Sequence, residues 1–188
     1  MWSASVRPTS PGGVSATEHP LALGHLRIAH AGGPVAVDCS QARLAGYSPA
    51  LRRAGIVIDE TLITTASSVR HRTCCGGRSA RSRRPADGDR RGNDEIAFGL
   101  PEEARRRAVR VPQELSLVGF DDTFMSTRSA PPLTTVSQPL ADMGASAVRS
   151  LIRLINHEPI AHTHVELATT LVVRDSSAAP TPQVRRRR

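Results

Sequence analysis

A chain of 188 residues can build one sizeable core or two small lobes sharing a hinge, and little more. Its net charge of +8 suggests a nucleic-acid binder until the charge is located: eight Arg against two Asp fall within Ser67 to Gly92, four more Arg close the chain as Arg185 to Arg188, and the remainder is slightly acidic. Cys39, Cys74 and Cys75 make no disulfide framework, and the absence of a signal peptide or of any apolar run near 18 residues argues for the cytoplasm and against export or a membrane partner.

Met1 to Gly13, with Pro8, Pro11 and two glycines, reads as a disordered leader. Ser15 and Glu18 then form a capping-box start for a short helix that stops at Gly24. Arg27 to Ala31 is the next strand. Ser40 to Ala54 is helical, with Leu44, Tyr47, Leu51 and Ala54 near helical spacing and Gly55 as its stop, and a strand follows at Leu62 to Thr65.

At Ser67 the pattern ends. Through Gly92 the segment has one aliphatic residue larger than Ala, namely Val69, and no periodicity, so it reads as a disordered or aberrant insert that cannot bury a core face. Order resumes at Asn93, a good helix N-cap, followed by acidic Asp94 and Glu95 in the first turn.

The centre of the chain is Val111 to Asp122. Leu115, Leu117, Val118 and Phe120 form a short, nearly unbroken apolar run, the mark of a strand buried on both faces of a parallel sheet. Ligands collect beyond the carboxyl ends of such strands, so chemistry is expected where Phe120 gives way to Asp121 and Asp122. Thr134 to Val136 is a further strand. Pro139 opens an amphipathic helix carrying Leu140, Met143, Ala147, Val148, Leu151, Ile152 and Ile155 on one stripe. Val165 to Val173 reads as the last strand, and everything beyond Arg174 as tail. Alternating strands and helices indicate an α/β fold with parallel sheet.

Ala16-Thr-Glu-His with Leu23-Gly-His, Arg43-Leu-Ala-Gly-Tyr47, Asn93-Asp-Glu-Ile-Ala-Phe-Gly-Leu100, Val111 to Asp122, Pro131-Pro-Leu-Thr-Thr-Val-Ser-Gln-Pro-Leu140 and Leu171-Val-Val-Arg-Asp175 occur in the order and spacing of one family. Residues 14–177, the insert excepted, resemble the effector-binding region of LacI/GalR (lactose-repressor) family transcriptional regulators. The resemblance implies a partial two-lobed, periplasmic-binding-protein-like fold of type I, with 1–13 as leader and 178–188 as basic tail. A sugar or other small effector would lie in the cleft, with Asn93 and Asp121 as contacts. A carboxylate accepts hydrogen bonds from neighbouring hydroxyls, while an amide donates and accepts. From the residues alone, the favoured readings are Asn93 as a helix cap and Asp121 as a turn former.

The sequence departs from the family in three ways. No helix-turn-helix DNA reader, hinge or opening strands precede Val14, so operator DNA is a partner only of full-length relatives. The insert has the family's length with foreign composition, as a local frame shift and return would produce. Pro20, Pro49 and Pro101 stand where helix formers are expected, at about 3 kcal/mol for each interior position, which predicts marginal stability.

The function these features predict is a truncated sugar-sensing domain, homodimeric or not, that is degraded or inactive. The alternative is nonspecific nucleic-acid binding through the Arg-rich insert and tail, although Ser67 to Gly92 offers no aromatic stacking partner. Zinc binding by His71, Cys74 and Cys75 suffers from adjacent cysteines poorly placed for a tetrahedral site. No nucleophile elbow, phosphate loop or metal-ligand helix supports an enzyme, and no cofactor is expected.

Overall fold

The computed structural model describes residues 5–6, 10–34, 36–65, 88–91, 93–160 and 164–180. His71, Cys74, Cys75, Arg185 to Arg188 and most of the Arg-rich insert lie outside these residues, so the zinc and nucleic-acid readings that rest on them do too. Among the described residues no helix is long and apolar enough to cross a membrane.

In chain order the elements are β1 (Ser5–Val6), α1 (Ser10–Ala22), β2 (Ile28–Gly32), α2 (Asp38–Arg53), a 3-10 turn at Glu60–Leu62, β3 (Ile63–Thr65) and β4 (Gly88–Arg91). Then follow α3 (Asp94–Phe98), α4 (Leu100–Arg106), β5 (Ser116–Asp121), α5 (Phe124–Arg128), β6 (Thr134–Ser137), α6 (Leu140–Ile155), β7 (His164–Val165) and β8 (Thr170–Val172). The main sheet has six strands in the order β3-β2-β4-β5-β6-β8. Its first five strands are parallel, and β8 closes one edge antiparallel to β6. β1 and β7 pair in parallel as a separate two-stranded sheet.

β5 is the buried central strand its apolar run predicts: every residue from Ser116 to Phe120 is buried. Its two faces feed two cores. Leu117 joins Ala97, Leu100, Leu115 and Leu133 beneath α3 and α4, while Val118 and Phe120 join Ala16 and Val136 beneath α1. A third cluster of Ile28, Tyr47 and Leu51 lies under α2, where the buried Tyr47 hydroxyl donates to the Ile28 carbonyl at 2.7 Å.

Several expectations need correction. α1 begins at Ser10, inside the stretch read as leader, because Gly12 and Gly13 work as close-packing residues: a Cβ on Gly13 would stand 2.7 Å from the Arg43 carbonyl oxygen, and one on Gly12 would stand 2.8 Å from the Phe120 ring. Gly88–Arg91, the end of the segment read as a disordered insert, is a strand hydrogen-bonded between β2 and β5; backbone pairing on both sides holds it despite its lack of apolar alternation. The final strand is two strands in different sheets, β7 and β8, separated by residues 166–169.

The segment after Arg174 is, as far as Pro180, a strap rather than a tail. Ser176 is buried; its carbonyl accepts from the Leu117 N–H at 2.8 Å and its hydroxyl donates to the Leu117 carbonyl at 2.7 Å. The Thr134 N–H reaches the same hydroxyl at 2.8 Å, and the Ala178 carbonyl takes the Ser116 hydroxyl and His25 Nε2. Backbone groups at the amino ends of β5 and β6 are thereby satisfied.

The prolines divide. Pro20 and Pro49 lie inside α1 and α2, whereas Pro101 falls in the first turn of α4, where a missing N–H costs nothing. The helix expected to start at Asn93 is accordingly two short helices broken at Gly99. Gly13→Ala should lower stability by about 1–3 kcal/mol through forced separation of α1 and α2, while Gly99→Ala, whose Cβ meets nothing within 4 Å, stays within about 0.5 kcal/mol. Pro49→Ala, at an exposed helical position, should raise stability by up to about 3 kcal/mol. Urea unfolding of the three variants measures these changes.

Candidate functional site

The parallel strands run β3-β2-β4-β5-β6, so the chain moves outward in one direction after β2 and in the other after β4. In open α/β sheets ligands bind beyond the carboxyl ends of the strands, near such a reversal. Arg90 of β4 pairs with Val118 of β5, and Asn93 and Asp121 each lie three residues further on, so both candidate contacts leave the sheet at the same level from neighbouring strands.

Asp121 ends β5 with a φ of +103°, and Asp122 follows at +54°. Both values lie where side chains crowd the backbone, an arrangement that persists only when surrounding bonds over-determine it. Those bonds are present. On Asp121, Oδ1 accepts from Arg43 at 2.6 Å and from the Gln138 amide at 2.5 Å. Asp122 accepts from Arg174 at 2.7 Å and from the Ser126 hydroxyl at 3.0 Å; Arg174 also donates to the Leu133 carbonyl at 2.8 Å. The two carboxylates thus point to different partners, Asp121 into the site and Asp122 into the framework behind it.

Arg43 comes from the buried face of α2, with its guanidinium carbon 4.2 Å from the centre of the Phe120 ring. The ring face attracts the cation and replaces part of the water that burial removes. Burial pushes the Asp121 carboxyl above its ordinary pKa, and Arg43 and Gln138 pull it back without cancelling the rise. For Asp122 burial also pushes upward, but the bonds from Arg174 and Ser126 outweigh it and hold the carboxyl below the usual range.

Asp94, the first residue of α3, is fully buried. It accepts from the Thr135 hydroxyl at 2.6 Å and from the Thr123 N–H at 2.7 Å, tying α3 to β6 and to the loop after Asp122. Gly119 makes this possible, because a Cβ there would run into Asp94 Oδ1. The Asn93 carbonyl accepts the Ala97 N–H, so this residue opens α3 through its backbone and sits partly exposed beside Asp94.

The structure therefore sets Asp121 at the end of β5 and Asn93 two residues beyond the neighbouring β4, and it adds two side chains that the sequence did not single out. Arg43 carried a signal: it falls on the same helical face as Tyr47, Ala50 and Leu51, all buried, and a charge in such a stripe requires a partner. Gln138 carried none beyond its position after β6. The arrangement presents an anionic acceptor, a cation and an amide together. Among the described residues both side-chain bonds to Asp121 fall on Oδ1.

A family profile described as a periplasmic binding protein-like domain matches residues 17–177. The HTH-type transcriptional regulator DegA of Bacillus subtilis (strain 168) is 36% identical over 168 residues, which are 89% of this chain and 50% of DegA. Among solved structures, a complex of the transcriptional regulator CelR with cellobiose superposes with a TM-score of 0.85 at 29% identity, covering 93% of this chain and 54% of CelR. A LacI family transcriptional regulator from Mycobacterium smegmatis gives 0.82 at 30% identity, with 92% and 64% covered. The chain spans about half the length of the curated relatives it matches.

Asp94→Ala removes the acceptor for two buried donors and should cost about 2–4 kcal/mol. Burial raises the Asp94 carboxyl above its ordinary pKa, with the Thr135 and Thr123 bonds opposing. A proton therefore binds the folded protein more tightly than the unfolded chain, and that stabilisation is complete below the unfolded pKa and lost as pH rises through the folded one. The deficit of Asp94→Ala should consequently grow as pH falls from 7 toward 4. Urea unfolding of both proteins across this range tests the sign.

Proposed function

Because the chain belongs to the periplasmic-binding-protein-like family that includes the LacI-type transcriptional regulators, we propose that it is the effector-sensing part of such a regulator and binds a small sugar beside Asp121. The observation that carries this reading is the Asp121 carboxylate at the carboxyl end of β5, held by Arg43 and Gln138, whose bonds both fall on Oδ1. Adjacent sugar hydroxyls donate to carboxylates and accept from guanidinium and amide groups, so these three side chains supply both polarities a sugar ring needs. Asn93, two residues beyond β4, is the further contact in this reading. The cellobiose in the CelR complex supports a saccharide as the ligand class.

The protein acts in the cytoplasm in this reading. Its route to operator DNA passes through a reader outside these residues, since the match to DegA covers half of that protein. Effector binding then acts by favouring one of two global states, with a coupling set by its different affinities for them.

Titration calorimetry of the purified chain against mono- and disaccharides, cellobiose included, tests the proposal. Saturable binding is expected, with a loss of at least tenfold in affinity for Asp121→Ala or Arg43→Met. Because the neutral carboxyl accepts hydrogen bonds poorly, affinity should fall as pH drops through the raised Asp121 pKa, and Asp121→Asn should flatten that dependence. A folded chain that takes no sugar of the panel would instead be the inactive remnant predicted from its sequence.

A further inference from the structure

Two histidines fasten the strap that follows Arg174. His19, in the last turn of α1, places Nε2 2.9 Å from the Ser177 hydroxyl, and His25, just beyond α1, places Nε2 2.8 Å from the Ala178 carbonyl. His25 is buried and His19 half-buried. The strap they hold is the segment that satisfies backbone groups of Leu117 and Thr134 through Ser176.

The hydrogen on each ring can be placed from its partners. A carbonyl only accepts, so His25 donates from Nε2 to Ala178. The Thr134 hydroxyl donates to the Arg174 carbonyl at 3.1 Å and accepts from the Arg174 N–H at 2.9 Å. Its single hydrogen is thereby used. The Ser177 hydroxyl, 2.9 Å from Thr134, therefore donates to it and accepts from His19 Nε2. Both neutral rings thus carry their hydrogen on Nε2, facing the strap, and an added proton goes to Nδ1.

Such a proton brings a charge into a poor place. The helix dipole favours a cation in the last turn of α1, but burial and the neighbouring His25 act against it and lower the His19 pKa. Charges on the surrounding elements are engaged elsewhere: Glu18 with Arg53 of α2 at 3.1 Å, Arg27 with Asp59 at 3.6 Å, and Arg174 with Asp122 at 2.7 Å, while Asp175 on the strap is exposed.

We propose that His19 and His25 form a proton-operated latch: with both rings neutral the strap is seated on the amino ends of β5 and β6, and protonation of His19 beside His25 lifts residues 176–180 off them. The seated form binds a proton on His19 less tightly than the released form does, so seating is fully favoured above the ordinary histidine range and is lost as pH falls through it. The buried carboxyls work in the opposite sense, since those of Asp94 and Asp121 are raised and their protonation favours the folded form; Asp122 is held below the usual carboxylate range. The latch stands apart from the sugar reading, because it uses none of Asn93, Asp121, Arg43 or Gln138.

Amide hydrogen exchange of the purified full chain, followed by NMR from pH 7.5 to 5.5, tests it. Protection factors of the Leu117 and Thr134 amides, both bonded to Ser176, should fall at least tenfold across this range. The Val109 amide, bonded to the Ala104 carbonyl far from the strap, should keep its protection within a factor of two. His19→Gln, which retains an N–H donor in place of Nε2 but cannot titrate, should flatten the pH dependence at Leu117 and Thr134. Nitrogen-15 spectra of the wild-type imidazoles should show His19 as the Nε2–H tautomer at pH 7.5 and its titration coinciding with the loss of protection. A His19 that titrates while Leu117 and Thr134 stay protected overturns the proposal, whether or not the variant folds. So does a pH dependence that survives His19→Gln, or a loss of protection that Val109 shares.

Discussion

Asp94 has no exposed surface, yet it carries a carboxyl group into the layer between α3 and the sheet. A buried carboxylate is tolerable only where hydrogen bonds replace its lost water, and here they come from two other elements, the Thr135 hydroxyl of β6 and the Thr123 N–H of the loop leaving β5. One side chain thereby fixes three elements against one another. The absence of a side chain at Gly119 is part of the same constraint, since that is the space Asp94 occupies on β5.

The loop after β5 inherits its shape from this anchor. With Thr123 tied to Asp94 and Asp122 tied to Arg174, the backbone at Asp121 and Asp122 is held in the left-handed region from both sides. That conformation turns Asp121 toward Arg43 and Gln138 instead of letting it continue the alternation of the strand. The candidate site is therefore a consequence of the framework: a carboxylate aimed by backbone strain, a cation steadied on the Phe120 ring and an amide supplied by the neighbouring strand.

Much of this could be read from residue order. The unbroken apolar run of β5 and the alternation of strands and helices placed the parallel sheet correctly, because two-sided burial and period are properties of local sequence. What was not legible depended on distant partners. Gly12 and Gly13 looked like flexible leader, since nothing nearby shows that Arg43 and Phe120 approach them. Gly88–Arg91 lacked apolar residues because its pairing is a matter of backbone hydrogen bonds to β2 and β5, which composition does not reveal. Arg43 was visible only as a charge in a buried stripe; its meaning came from Asp121, 78 positions away.

The strap at Ser176 bears on the order in which this protein can fold. The Leu117 N–H and carbonyl and the Thr134 N–H, all in the middle of the sheet, find partners 59 and 42 positions downstream. On a ribosome those backbone groups emerge long before their acceptors and donors do. Closing so distant a contact costs chain entropy before any bond rewards it, which slows folding. The amino ends of the central strands must stay hydrated until Ser176 has been made, so the sheet can be nucleated early in translation but only sealed after Ser176 has left the exit tunnel.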